Sequence, residues 1–578
     1  MVKWLKNCFL LRTVALTLSF AGALNAYSPV GSEVPFDLVL LNGRIVDGTG
    51  NPWFLGDIGI RGNHIARVAP GGMLREAPAR EQLDVRGMVV APGFIDIQSQ
   101  SGVQFLKGDS RVISKVTQGV TTEILGEGWT PAPSNALVAK AMLFLDPEVA
   151  EASKEFTEPH GFAKWLGAMQ RHGASTNLGS FLGGATARIY VKGMTEGTAT
   201  EDELERMRAV VQSSMEDGAF GIAPSLMDPP ESFVTTDELV ALAQAMAPYG
   251  GVYISHIRSE GDRFLEGLDE AIEIGRRGGV PVEIYHFKGE GIRNWTKVAQ
   301  AIDKINAART AGQDVGADMY PYTAGATSLA ACLPPWASAD QKLLDNLRNS
   351  QTRARIRDEV LHQRTYWENL CELATPQGSL IVGVHKPENR KFVGRRLSEI
   401  ATEEKKDWVD AAMDLILTEQ QWDGVNCVFF HINPENLEPE IRQPWMKFGT
   451  DGEGVDPATA RDMVHPRDYG TYPRILGKYV REENVIPLEE AVRKMTSEVA
   501  NRLSIRDRGL LREGMYADIV VFDPQTVADR ATYEEPHQLS VGVPYVLVNG
   551  VFVVRDGKHT GAKPGLIVRG PGYKKSSM

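Results

Sequence analysis

Short apolar runs punctuated by turn residues mark both ends of the chain. Leu38-Val-Leu-Leu41, Asp57-Ile-Gly-Ile60 and Ile65-Ala-Arg-Val68 are separated by Asn42-Gly43 and Gly62-Asn63, a hairpin pattern, because Asn and Gly tolerate the positive φ of tight two-residue turns. The style returns in Ala517-Asp-Ile-Val-Val-Phe522, Tyr545-Val-Leu-Val548 and Val551-Phe-Val-Val554, with Asn549-Gly550 and Asp556-Gly557 as the turns. Two β-rich ends around a different middle predict one discontinuous β-sandwich, residues 36–88 and 506–570, enclosing an inserted domain at 89–505.

The middle alternates apolar strand-like runs with helical patterns, which argues for parallel β/α units. Runs ending at Ile97, Glu127, Leu182, Ser225, His256, Lys288, Thr323 and Asp451 are the strand candidates. Between them, Thr200-Glu-Asp-Glu203 is a capping box ahead of Leu204, Met207, Val211 and Met215, with Gly218 as the stop. Thr235-Thr-Asp-Glu238 opens a second helix through Leu239, Leu242 and Met246 in the same way. Eight such units predict an α/β fold of the (β/α)8 barrel type, whose active site lies at the carboxyl ends of the strands. The stretch from about Leu329 to Gln443 exceeds any one βα loop and is expected to be an inserted subdomain near the site mouth.

A 578-residue chain with 43% hydrophobic and 24% charged residues is long enough for a large core and excludes a disordered or low-complexity protein. The first 26 residues carry Lys3, Lys6 and Arg12 and no acid, then the apolar run Thr13 to Leu24, and end at Leu24-Asn25-Ala26. That is the layout of a secretory signal peptide, so export to a periplasmic or extracellular space is expected. The apolar run falls short of the ~20 residues that a membrane span needs, so no stable membrane insertion is expected after cleavage. Loss of the leader leaves 59 of the 62 basic residues against 74 acidic ones, a net charge of −15, which disfavours nucleic acid as a partner. Cys332, Cys371 and Cys427 then remain, which makes no disulfide framework and no Cys-x-x-Cys metal knuckle. One bridge is possible, and spacing does not identify it.

Candidate chemistry sits at the strand ends. Tyr253-Ile-Ser-His256 and Val282-Glu-Ile-Tyr-His286 each finish an apolar run with a histidine, and equivalent strand ends converge on one centre in a barrel. Glu127, flanked by Gly126 and Gly128, would complete a one-carboxylate, two-histidine set with an open position for water, as a catalytic zinc requires. An ordinary loop acid is an equal reading of Glu127 taken alone. Asp451 ends the last strand and could exchange a proton with the reacting groups, although Gly452 after it also suits a plain turn. Ala91-Pro-Gly-Phe-Ile-Asp-Ile-Gln-Ser-Gln100 has the form of a metallohydrolase first strand, with Gln98 and Gln100 where His-x-His would bind metal. A neutral amide is a poor zinc ligand. His431, after Val428-Phe-Phe430, is a weaker candidate for the mouth.

In combination, Pro92-Gly-Phe-Ile-Asp96, Gly119-Val-Thr-Thr122, Ser255-His-Ile-Arg258-Ser-Glu260, Tyr285-His-Phe-Lys288, Tyr320-Pro-Tyr322, Gly449-Thr-Asp451-Gly452, His465-Pro-Arg-Asp-Tyr-Gly-Thr-Tyr-Pro-Arg474 and Gly514-Met-Tyr-Ala-Asp518 resemble the N-acyl-D-amino-acid deacylases, or D-aminoacylases, of the amidohydrolase superfamily. The resemblance runs from about Phe36 to Gly557 and implies a metal-dependent hydrolase that cleaves the amide of an N-acyl-D-amino acid, its small-molecule partner. It implies zinc, or another divalent metal, on His256 and His286 with Asp451 as the general base, and the reading of the residues themselves adds Glu127 as the third ligand of one ion. Lys288, Tyr322, Ser328, Arg258 and His465 are the substrate-binding positions it suggests. Three departures from the family stand out: Glu127 in place of a ligand cysteine, Gln98 and Gln100 in place of the histidines of a second metal, and Asp228 in place of a tyrosine. A cyclic-amide, lactone or dipeptide hydrolase on the same scaffold, or a metal-free binding protein, are the alternative readings.

Overall fold

The computed structural model describes residues 34–362, 367–421 and 424–575. The leader sequence lies outside them. Among the described residues no helix is long and apolar enough to cross a membrane.

Eight parallel strands form the barrel: β1 (Phe94–Asp96), β2 (Val120–Leu125), β3 (Asn177–Ser180, continuing as Leu182–Gly183), β4 (Gly221–Ala223), β5 (Val252–Ser255), β6 (Val282–Ile284), β7 (Val315–Met319) and β8 (Met446–Phe448). The ladder is continuous from β1 to β8, because the first half of β3 pairs with β2 and the second half with β4. Every residue of these strands is buried, so they do not alternate apolar with polar as half-exposed strands do, and the polar residues within them, Glu123, Glu283, Asp318 and Lys447 among them, are buried too. The helices between them start as their sequences require: both Thr200 and Thr235 make complete capping boxes with Glu203 and Glu238.

Closure between β8 and β1 is made differently. Past the strands proper, the backbones touch at one parallel bridge, Ser99 to Gly452, with Asp451 N donating to Gln98 O at 2.8 Å and Gln100 N to Gly452 O at 2.9 Å. The fully buried Lys115 fills the rest of the seam. Its ammonium donates to Asp96 Oδ2 at 2.8 Å and to the Gly452 carbonyl at 2.7 Å, and stands 3.8 Å from Glu123 Oε2. Thr450 joins from the β8 side, its backbone N–H on Asp96 Oδ1 at 2.9 Å.

Both chain ends do build one β unit, as a single branched nine-stranded sheet. Strand Phe36–Ile45 is its hub, pairing with Phe54–Arg61 along its length, with Ala79–Asp84 at one end and with Val89–Pro92 at the other. Val89–Pro92 in turn pairs with Ile519–Phe522 from the far end of the chain. The N-terminal part therefore extends to Pro92 rather than ending at 88. Asn42-Gly43 is also not a turn: the chain runs straight through as a bulge, with Asn42 at φ 61° and its N–H bound to Asp57 Oδ1 at 2.8 Å. The C-terminal Asn549-Gly550 and Asp556-Gly557 do turn between paired strands, all four residues at positive φ.

The insertion between β7 and β8 has its own three-stranded antiparallel sheet, Gly325–Ser328, Val425–Phe429 and Ser379–Val384, and its own apolar core. Its far limit is nearer Phe429 than Gln443, since helix Pro434–Ile441 packs Leu437 and Ile441 into the main core as an ordinary barrel helix. Cys332 and Cys371 form a disulfide within the insertion, and Cys427 is free and buried.

The seam generates a stability prediction. Lys115→Met would leave the Asp96 and Glu123 carboxylates buried without a cation, a change that costs about 3–5 kcal/mol. Urea unfolding of the variant should show that loss, and a midpoint equal to that of the parent would refute the role given to Lys115.

Candidate metal centre

Three barrel strand ends aim one side chain each at a common point. Glu127 follows β2 between Gly126 and Gly128, whose φ values are 116° and 64°. A Cβ on Gly126 would lie 2.4 Å from the Phe181 carbonyl, so only glycine lets the chain pass β3 and swing Glu127 inward. His256 comes directly after β5, and His286 two residues after β6 with φ 34°, a left-handed conformation that few non-glycine residues adopt.

Glu127 Oε1 lies 3.1 Å from His286 Nε2 and 3.7 Å from His256 Nδ1, and the two ring nitrogens are 3.1 Å apart. Tetrahedral zinc with ligands at 2.0–2.2 Å separates its donors by about 3.4 Å, so this triangle fits a single ion with a further position left open. Among the described residues these three form the group of His, Cys, Asp and Glu side chains arranged for a metal.

A second layer orients them. Glu260, fully buried, contacts His286 Nδ1 at 3.1 Å and stands 3.7 Å from His256 Nε2, which sets the tautomer of His286 so that Nε2 is the nitrogen offered to the ion. Asp318 accepts the His286 backbone N–H at 3.0 Å. Lys288 pairs with Glu260 and reaches the His286 carbonyl at 3.1 Å. Burial opposes charge on both Glu260 and Lys288, yet each holds the other ionised: the carboxyl is held well below its usual range and the ammonium well above. Burial likewise opposes a charge on His286, while the Glu260 and Glu127 carboxylates favour positive charge there, whether on the ring or on an ion held at Nε2.

The glutamines face the other oxygen of Glu127. Gln98 Nε2 is 2.6 Å and Gln100 Nε2 2.8 Å from Glu127 Oε2, and Gln100 Nε2 also reaches Asp451 Oδ1 at 3.1 Å. A carboxylate only accepts, so both amides must present their NH2 groups to it, and neither carbonyl faces the metal position through this contact. Asp451, at φ 47°, is bound on its second oxygen by Arg467 Nη1 at 2.7 Å.

The remaining sequence candidates lie farther out. Arg258 is committed to a two-point pair with Glu270 at 2.8 and 3.0 Å and to the carbonyls of Ser232 and Val234, so it braces a loop rather than facing the centre. His465 accepts the Arg467 N–H on Nδ1 at 3.0 Å and meets the Ala324 carbonyl through Nε2 at 2.9 Å; burial drives its pKa well down. Tyr322 packs edge-on against the His465 ring with its hydroxyl 3.4 Å from the Pro466 carbonyl. Ser328 starts a short turn, its hydroxyl accepting from Ala330 N at 3.2 Å. His431 is buried behind Lys288, 3.3 Å from Glu290. Sequence reasoning passed over Glu260 and Arg467 although both stand in the motifs quoted above; their spacing to His256 and Asp451 was the available signal.

Residues 446–554 match the Amidohydrolase family. The chain is 34% identical over 535 residues to the D-aminoacylase of Alcaligenes xylosoxydans xylosoxydans, covering 92% of this chain and 98% of that protein. It superposes with a TM-score of 0.76 on a D-aminoacylase structure concerned with a binuclear metal centre in which one metal activates and a second attenuates, at 32% identity over 93% of this chain and all of that one. The N-acyl-D-glutamate deacylase of Bordetella bronchiseptica, complexed with zinc and a phosphonate mimic of the tetrahedral intermediate, gives 0.75 at 28% identity over 93% of this chain and all of that one.

The geometry separates ligand from support. Glu127→Gln is expected to abolish tight metal binding, whereas Glu260→Gln, which loosens His286 without removing a donor, should weaken it roughly 10–100-fold. Competition against a chromophoric chelator measures both, and unchanged affinity in Glu127→Gln would exclude it as a ligand.

Proposed function

The chain belongs to the D-aminoacylase family of metal-dependent amidohydrolases, and from that premise we propose that it hydrolyses the amide of N-acyl-D-amino acids with a single zinc ion held by Glu127, His256 and His286. The observation that carries the reading is the convergence of these three donors, open on one side, next to Asp451. Bound there, zinc would supply a Lewis acid for the scissile carbonyl and lower the pKa of water towards ~7.

The chain's own residues account for the rest. Asp451 sits at the mouth with one oxygen accepting from Gln100 and the other ion-paired with Arg467, which orients it to take the proton of the attacking water and then carry it to the leaving amine. Lys288 and Arg467 flank Tyr320, their cationic groups 6.0 and 4.7 Å from its ring centroid, and make this side of the centre the place for the substrate carboxylate.

We infer one ion per chain from the glutamines, whose neutral amides donate to Glu127 Oε2 and would offer a second ion no anionic or imidazole donor. Export is part of the proposal, supported by the leader layout and by the Cys332–Cys371 disulfide, which persists in an oxidising compartment.

Elemental analysis of the mature protein should give one zinc per chain, retained when Gln98 and Gln100 are both changed to alanine. Assayed on paired N-acyl-D- and N-acyl-L-amino acids, the enzyme should turn over the D series. Asp451→Asn should keep the metal and lower kcat by about 10²–10⁴. Two tightly bound ions, or near-normal turnover by Asp451→Asn, would overturn the corresponding part of the reading, and a metal-replete protein inert on the whole panel would return the case to a binding protein.

A further inference from the structure

The centre has a charged side and an apolar side. Lys288, Arg467 and Tyr320 form the first. On the β1 and β2 side a cavity of about 180 Å³ has Gln100 and Glu127 in its wall and is otherwise enclosed largely by Leu106, Leu125, Trp129, Met142, Val149 and Trp165. Leu106, Met142, Val149 and Trp165 come from the helices that follow β1 and β2, Gly102–Leu106, Ala136–Leu145, Pro147–Ser153 and Gly161–His172, while Leu125 ends β2 and Trp129 lies in the loop after it. Asp146 at the rim is already engaged, capping the third of these helices through bonds from Glu148 N at 2.7 Å and Val149 N at 2.9 Å, so its charge does not make the cavity polar.

We infer that this cavity is the acyl subsite and that it takes an unbranched aliphatic chain of about six carbons, which deepens the deacylase reading and rests on it. With the scissile carbonyl at Glu127, His256 and His286, the acyl carbons extend from the centre past Glu127 and Gln100, the two site residues in the cavity wall. The apolar cavity that begins at Glu127 is there. At about 30 Å³ for each water-sized unit, its volume holds roughly six non-hydrogen atoms.

The test is a chain-length series, acetyl, butyryl, hexanoyl and decanoyl, on one neutral D-amino acid. Burial of each added methylene should raise kcat/KM roughly three- to fourfold up to hexanoyl, with no further gain at decanoyl. Val149→Phe, which fills the cavity, should lower hexanoyl turnover about tenfold or more while leaving acetyl turnover close to that of the parent, and Met142→Ala, which enlarges it, should move the optimum to longer chains. Calorimetric titration of the zinc-loaded protein with hexanoate, the acyl product, reads the subsite without turnover: Val149→Phe should weaken hexanoate about tenfold and leave acetate unchanged. A flat chain-length profile, or hexanoate binding indifferent to both variants, overturns the subsite. Failure of every N-acyl-D-amino acid as substrate, with hexanoate still bound and still sensitive to Val149→Phe, overturns the deacylase reading and leaves the subsite standing.

Discussion

Closure of the barrel by Lys115 is the constraint on which the site depends. Between β8 and β1 the backbone makes a single bridge, where the other neighbouring strands share a ladder. A fully buried ammonium is costly unless its partners are close and correctly placed. Here Asp96 from β1 and the Gly452 carbonyl beyond β8 hold it, so the seam is stable only when those two segments are in register. The same register sets Gln98 and Gln100 against Asp451.

Seen from that seam, charge is distributed so that every ionised group near the centre has a partner. Glu127 meets two imidazoles on one oxygen and two amides on the other. Glu260 is matched by Lys288, and Asp451 by Arg467. The D-aminoacylase relative is described as binuclear. In this chain, neutral amide donors and the Arg467 guanidinium hold the carboxylates on the β1 side, so their arrangement does not require a second cation there.

Sequence patterning disclosed the barrel and the strand-end residues for a physical reason: strands buried on both faces are mostly apolar, so a His, Glu or Asp at the end of such a run stands out, although Glu123, Asp318 and Lys447 within the strands show that burial does not exclude charge. It disclosed less where one local pattern serves two structures. Asn42-Gly43 suits a hairpin turn and a bulge alike, because both need positive φ, and the choice was made by Asp57 fifteen residues away. Lys115 and Glu260 were hidden in another way. A buried charge is recognised by its partners, and Asp96, Glu123 and His286 come to these residues only through the fold. The cysteine pairing and the end of the insertion were likewise decided by distances and packing that spacing does not encode.

Two of the residues nearest the chemistry, His286 and Asp451, hold left-handed backbone conformations at φ 34° and 47°. For residues other than glycine such conformations cost of the order of 1–3 kcal/mol and persist only where the surroundings fix them. His286 is fixed by its N–H bond to Asp318 on β7, and Asp451 by its N–H bond to the Gln98 carbonyl beyond β1. Each bond joins one strand end to its neighbour, so the strain is carried by the closed barrel and not by the loops. It turns each side chain out of the strand direction into the mouth, where the imidazole meets Glu127 and the carboxylate meets Gln100. Opening the seam at Lys115 would release Asp451 first, because the bond that restrains its backbone is part of that seam.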